Sequence, residues 1–223
     1  MIVDSKIFLG LGNCIDYEIL WDKYIFNNLL RNYNINSDEI CLKKRIRSIR
    51  DILIVILYFI KNNTGGECYI SNIKIIENFS KLFEKKITAG GTAFRAAIAM
   101  DIQGFNSRVH FVSMNAKIKE LLPKKCEYIC SSNKFSYNPH LIIQYPKNLK
   151  IDVNDINIFS EKEDRIIFVN DPENEQLEIS PLLEQHIKDT NVLLISGFNA
   201  IKKNELLIKR IDVLKKYLKN LPK

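Results

Sequence analysis

Four short stretches carry residue types that can do chemistry. The first is Gly10-Leu-Gly-Asn-Cys-Ile-Asp16, where an apolar run ends in glycines and a carboxylate follows. A carboxylate at a strand end can accept hydrogen bonds from sugar hydroxyls, and ligands of open α/β sheets settle at the carboxyl ends of the strands. Asp16 could equally cap a following helix. The second is Gly90-Gly91-Thr92-Ala93. Two glycines let the backbone approach a ligand closely, and the free N–H groups of a helix starting there suit a hydroxyl or an anion. A plain tight turn has the same spelling. The third is Asp164-Arg165-Ile-Ile-Phe. An arginine at a strand start can grip phosphate through two parallel hydrogen bonds, or simply point into solvent. The fourth is Glu67, behind Gly65-Gly66. It is either a ligand for sugar hydroxyls or an ordinary surface charge.

His110 and His140 lie in apolar strands and read as core histidines. No Ser/His/Asp or Cys/His set argues for a hydrolase. No GxxxxGK[ST] occurs, which argues against a P-loop nucleotide site. Asn170-Asp-Pro-Glu173 spells NxxE, but its Asn, Asp and Pro are turn formers, and the stretch reads as a chance match in a turn.

These residues need elements to hold them. Lys6–Leu11 reads as a short strand ending in glycines. Tyr17–Arg31 has a helical apolar pattern, and Ser37–Asn62 reads as a longer helix with a break near Arg50. Asn62–Gly66 is a turn cluster, Glu67–Ser71 a short strand, and Lys74–Glu84 a helix. Thr92–Ile102, rich in alanine and free of breakers, is a helix. Arg108–Ser113, His140–Tyr145, Arg165–Val169 and Val192–Ser196 read as strands. Lys117–Leu122, Ser180–Lys188 and Asn204–Lys219 read as helices, and the polar stretch Pro146–Asp164 as a smaller secondary layer. Strands alternating with helices predict an α/β layered fold with a largely parallel sheet.

The 223 residues are 46% hydrophobic, enough for a sizeable core. Apolar runs such as Ile52–Ile60 fall short of the ~18–20 residues that cross a bilayer. The opening residues, with Asp4 and Lys6 ahead of a short apolar stretch, lack the order of a signal peptide, so the expected location is cytoplasmic. Five scattered cysteines with no CxxC pair predict reduced thiols rather than a zinc site. The net charge of +7 fits a phosphorylated small molecule as well as a nucleic acid. The densest basic sets are Lys43, Lys44, Arg45, Arg47 and Arg50, and the lysines and arginine from Lys202 to Lys219. The first set has no interleaved aromatic residues and the second follows helical spacing; both read as solvated helix faces rather than a nucleic-acid groove.

In order, Gly10–Asp16, Gly66-Glu67, Gly90-Gly91-Thr92-Ala93-Phe94-Arg95-Ala96-Ala97, Pro139–Pro146, Arg165–Phe168 and Ser196-Gly197-Phe198 resemble the ADP-dependent glucokinase/phosphofructokinase family, over roughly residues 6–220. The resemblance implies a ribokinase-like three-layer α/β/α domain with a small β-rich lid, whose segments would fall within about 17–75 and 140–165. It implies phosphoryl transfer from ADP to a hexose or hexose phosphate, with Mg2+. Asp16, Glu67, Gly90, Gly91 and Thr92 match its sugar-contacting positions, and Arg165 its phosphate-binding arginine. Gln144, Asn148 and Asp164 depart from the usual pattern, and a carboxylate at Asp164 would compete for Arg165. The family's metal-associated NxxE, its catalytic GxGD aspartate and its adenine-binding elements lie C-terminal to the Ser-Gly-Phe strand. The resemblance therefore assigns this chain a sugar site but no catalytic base and no metal ligand. A second chain could carry the remaining half. The alternatives are a non-catalytic sugar-binding or interaction protein of the same descent and, less favoured, a basic nucleic-acid-binding module.

Overall fold

A computed structural model describes residues 6–132 and 135–219; the opening residues Met1–Ser5, including Asp4 of the leader reading, lie outside them. In chain order, β1 (Ile7–Leu9) and β2 (Cys14–Ile19) precede α1 (Lys23–Asn32). The helical pattern expected over Tyr17–Arg31 therefore splits. Asp22 is the residue that starts the helix, its carboxylate accepting the N–H groups of Tyr24 and Ile25, and Tyr17–Ile19 stay extended. The long helix expected over Ser37–Asn62 also splits. A 3-10 turn at Ser37–Glu39 is followed by non-helical chain, and α2 spans only Ile49–Lys61. Ser48 caps α2 by accepting the Asp51 N–H, and the buried Ile46 forms a bridge to Ile70 instead of joining the helix.

β3 (Gly66–Tyr69), α3 (Ile73–Ser80) and β4 (Lys85–Gly90) follow. The helix expected over Lys74–Glu84 ends at Ser80, and β4, just beyond that stretch, was not expected. Then come α4 (Thr92–Ile102), with the bounds its alanines predict, β5 (Ser107–Phe111), α5 (Ala116–Leu121) and β6 (Cys126–Cys130). β7 (His140–Tyr145) leads to a hairpin of β8 (Lys150–Val153) and β9 (Ile156–Phe159) in the polar stretch, and then to β10 (Asp164–Val169). The chain closes with α6 (Pro172–Gln176), α7 (Leu183–Ile187), β11 (Val192–Leu194) and α8 (Asn204–Leu218).

These elements sort into two compact units. The first holds Met1–Ile15, Ala89–Tyr137 and Asp171–Lys223, and the second holds Asp16–Thr88 and Asn138–Asn170. The first unit is built on a four-stranded sheet in the order β11-β1-β5-β6. All three of its pairings are parallel. Strand alternation gives this sheet two apolar faces. On one, Phe94 of α4 meets Phe111 of β5 edge to face, with centroids 4.9 Å apart. On the other, Phe8, Val112 and Ile129 pack with Leu183 and Ile187 of α7 and Leu214 of α8. Helices on both faces of a parallel sheet make the three layers expected. Around β11 the cover is thinner: Val192 is 54% exposed and Ile208 58%, while Leu193, Ile195, Leu206 and Tyr217 are only partly buried.

The second unit has a mixed five-stranded sheet in the order β3-β10-β7-β2-β4. β10 runs parallel to β3 and antiparallel to β7, and β7 parallel to β2. The apolar face of this sheet carries Ile19, Leu141, Ile143, Tyr145, Ile166 and Phe168, all buried. Phe59 of α2 lies so close over Gly66 on this face that a Cβ there would sit 2.9 Å from its ring. The β8–β9 hairpin is fastened within the unit: Asn154 donates to the Ile35 carbonyl at 2.8 Å, and Asp155 accepts both the N–H and the hydroxyl of Ser37.

Candidate functional site

The register of the second unit's sheet decides where its polar side chains point. Asp16 is paired with His140 and Glu18 with Ile142. Arg165 is paired with Gln144 and Ile167 with Ile142, and Ile167 in turn with Glu67. Directly paired residues share a face, and so do residues two apart on one strand. Asp16, Glu18, Glu67, His140, Gln144 and Arg165 therefore all stand on the face opposite the helices.

Within that face the residues fall into two pairs. Asp16 lies beside His140, with Oδ1 3.8 Å from Nδ1; Asp16 is buried and His140 half-buried. Asp16 is part of a strand and does not cap α1, so that alternative fails. Glu67 and Arg165 line one open recess with Thr64, Lys162 and Asp164. From strand spacing and rise, the two pairs are roughly 15 Å apart. The competition expected between Asp164 and the Arg165 guanidinium is absent. Asp164 accepts the backbone N–H of Arg165 at 2.8 Å and an ion pair from Lys162 at 3.2 Å. That N–H, and then Lys162, hold its carboxyl below the usual carboxylate range. The Arg165 guanidinium has no hydrogen-bond or ion-pair partner among the described residues.

In the first unit, Gly90 ends β4 and Gly91 is the N-cap of α4, with φ +85° and no side-chain cap. The first N–H groups of α4 therefore lack an intrahelical partner and a side-chain substitute. Thr92 is exposed at this end. A Cβ on Gly91 would lie 3.2 Å from the Asn13 Cα and 3.3 Å from the Gly12 carbonyl oxygen, so glycine is required by conformation and by space. Asn13 is 1% exposed. Its side chain accepts the N–H of Val112 at 2.9 Å and donates to the Ser113 carbonyl at 3.0 Å.

Sequence reasoning missed several of these residues. His140 was read as core, although its strand alone, His-Leu-Ile-Ile-Gln-Tyr, puts His140 and Gln144 on one side and Leu141, Ile143 and Tyr145 on the other. His110 does belong to the core: it is fully buried, and its Nε2 accepts the Ser180 N–H at 3.0 Å. Burial pushes it down to about 4. Asn13 and its partner Asn174 carried no local signal. The literal NxxE is spent on structure, since Asn170 donates to the Ile70 carbonyl at 2.7 Å and Asp171 caps α6 by accepting from Asn174. Asp171 and Glu173 belong to no cluster of three or more close His, Cys, Asp or Glu side chains among the described residues that could hold a metal ion.

Most of the basic cluster is not a helix face, because Lys43, Lys44, Arg45 and Arg47 precede α2 and only Arg50 lies in it. Lys43 pairs with Asp51 at 3.0 Å and Arg50 with Glu39 at 2.6 Å, which leaves Lys44, Arg45 and Arg47 exposed. The five cysteines are free thiols. No helix among the described residues is long and apolar enough to cross a membrane.

Solved structures share this fold. A phosphofructokinase from Pyrococcus horikoshii OT3, crystallised with AMP, is 18% identical with a TM-score of 0.70, over 99% of this chain and 57% of its own. An ADP-dependent kinase in complex with fructose-6-phosphate and ADPβS is 14% identical with a TM-score of 0.71, over 97% of this chain and 49% of its own. A reconstructed last common ancestor of ADP-dependent phosphofructokinases from Methanosarcinales is 16% identical with a TM-score of 0.66, over 98% and 51%. No curated protein matches. The fold is thus that of ADP-dependent sugar kinases, and the chain spans about half the length of these structures. The ADP-specific phosphofructokinase/glucokinase conserved region matches residues 5–223, and the chain belongs to that family.

Proposed function

We propose that the chain supplies the sugar-binding part of an ADP-dependent kinase that phosphorylates a hexose or hexose phosphate. The observation that carries this reading is the polar face of the second unit's sheet, with Asp16, Glu67, His140 and Arg165 on one side and the helices on the other. Asp16 accepts hydrogen bonds from sugar hydroxyls, and His140 beside it holds that carboxylate in place. Glu67 takes a further hydroxyl. Arg165, whose fork is unengaged, grips a phosphate bidentately. In the first unit, the uncapped amino end of α4 at Gly90, Gly91 and Thr92 offers N–H groups to a hydroxyl or an anionic group. The second unit serves as the family's lid.

Phosphoryl transfer also needs a group to take the hydroxyl proton and cations on the phosphates. No GxGD occurs in the 223 residues, and the acidic residues of the NxxE they contain lie in no close metal-ligating cluster among the described residues. We assign the base, Mg2+ and ADP sites to polypeptide beyond this sequence, in the same or a second chain; no step is derived through them. The same sugar-binding face would serve a non-catalytic sugar-responsive protein if no such partner exists.

Isothermal titration with glucose and with fructose 6-phosphate tests the reading. Binding of one sugar in the micromolar to millimolar range is expected. Asp16→Ala should weaken it at least tenfold, about 1.5–3 kcal/mol for a hydrogen bond to a charged group. A folded chain that gives no heat with either sugar would reduce the family membership to ancestry.

A further inference from the structure

The amino end of α4 is placed by residues far away in sequence. Gly91 packs against Gly12 and Asn13 so closely that the position of that turn fixes where α4 begins. The Asn13 side chain is tied to the end of β5 through Val112 and Ser113. Its main chain is tied elsewhere: the Asn13 carbonyl accepts a 2.8 Å hydrogen bond from Nδ2 of Asn174, 161 residues on. The second hydrogen of that amide goes to Oδ2 of Asp171 at 2.6 Å, and Asp171 Oδ1 accepts the Asn174 N–H at 3.2 Å. Both donors of the Asn174 amide are thus used. Its Oδ1 faces Gly12, where a Cβ would lie 2.5 Å away. Asn13, Asp171 and Asn174 are all buried.

We propose that Asn174, oriented by Asp171, is a positioning residue that holds the Gly12–Asn13 turn against the amino end of α4 and so sets the Gly91–Thr92 amides for a hydroxylated ligand. The ligand part of this inference rests on the function proposed above; the positioning part does not. The chemistry demands an amide. A side-chain amide supplies two donors from one nitrogen, which here bridge a carbonyl and a carboxylate, and its oxygen takes the space a Cβ at Gly12 would need. An aspartate at 174 would set oxygen against both partners, and an alanine would leave the buried Asn13 carbonyl unsatisfied.

The experiment compares Asn174→Asp, Asn174→Ala and Ile187→Ala with the unmodified chain. Ile187 belongs to α7 and to the apolar cluster of the first unit, makes none of the hydrogen bonds that hold the Gly12–Asn13 turn, and serves as a control for lost stability alone. Two quantities are read below the melting temperature of each variant: the amide 1H–15N positions of Gly91 and Thr92, and the affinity for glucose and fructose 6-phosphate. Both Asn174 variants should move the two amide signals and weaken sugar binding at least tenfold, whereas Ile187→Ala should leave both unchanged. If Asn174→Asp does not fold, Asn174→Ala carries the test. Amide signals that stay in place, or a sugar affinity equal to that of the unmodified chain, would overturn the proposal. If the unmodified chain binds neither sugar while the amides move with Asn174, positioning stands and the sugar reading alone fails.

Discussion

The two places that carry polar chemistry in this protein are built in opposite ways. In the second unit the polar face is made by side chains, hung on strands whose register puts six of them on one side of a sheet. In the first unit the candidate surface is main chain, the uncapped start of α4, and side chains such as Asn13 and Asn174 act only from behind it. A face of side chains tolerates substitution one residue at a time, because neighbouring strands keep their ladder. A backbone surface does not, because its geometry depends on a glycine with φ +85° and on buried hydrogen bonds that cannot be replaced by water.

The strongest way to break this comparison is Gly91→Val. A β-branched side chain at that φ, against the main chain of residues 12–13, combines left-handed strain with overpacking and should cost about 4 kcal/mol of stability in urea unfolding. A loss below about 1 kcal/mol would show that the α4 terminus is not the rigid element described. Next comes acidification. His110 titrates at about 4 in the folded chain against a usual 6.5, so the unfolded chain binds more protons between those values. Stability is therefore complete above pH 6.5 and falls as the pH is lowered toward 4, by on the order of 3 kcal/mol, with no further loss from this group below that. Urea midpoints at pH 7 and pH 4.5 measure it, and His110→Gln should flatten the dependence. The smallest effect on stability belongs to the polar face. Arg165→Ala should stay within about 0.5 kcal/mol of the unmodified chain, while weakening fructose 6-phosphate about tenfold and leaving glucose untouched. Equal loss of both sugars would contradict a phosphate role for Arg165.

How much of this was legible in the sequence follows the same division. Thr92–Ile102 was readable because alanine-rich helix without breakers has few other readings. β7 was readable because His140–Tyr145 alternates. β4 and β6 were not. KKITAG follows an amphipathic helix without punctuation, and CEYIC is too short and mixed to declare a period. The helix expected over Ser37–Asn62, with a break near Arg50, is an α-helix only from Ile49 on, because Ser48 is a cap, a local signal outweighed by the apolar run beyond it. Asp16, Glu67 and Arg165 could be named as candidates from their neighbours, but their common face depends on which strands pair, and no single strand records its partners. Asn13 and Asn174 were out of reach altogether, since their hydrogen bond joins the first strand's turn to a helix 161 residues later.

The order of the strands also has a consequence for how the chain acquires its structure. The chain enters the second unit after Ile15, leaves it at Ala89, re-enters at Asn138 and leaves finally at Asp171. All of the second unit has therefore been synthesised before the last part of the first begins. β1 has one neighbour in β5 and the other in β11, with Ile7 opposite Val192. Closing a loop of that length is slow compared with forming the hairpins and helices between, because the entropy of the intervening chain must be lost before the contact stabilises anything. On the ribosome the second unit would fold first and the sheet of the first unit last, with β1 waiting on one open side until β11 arrives.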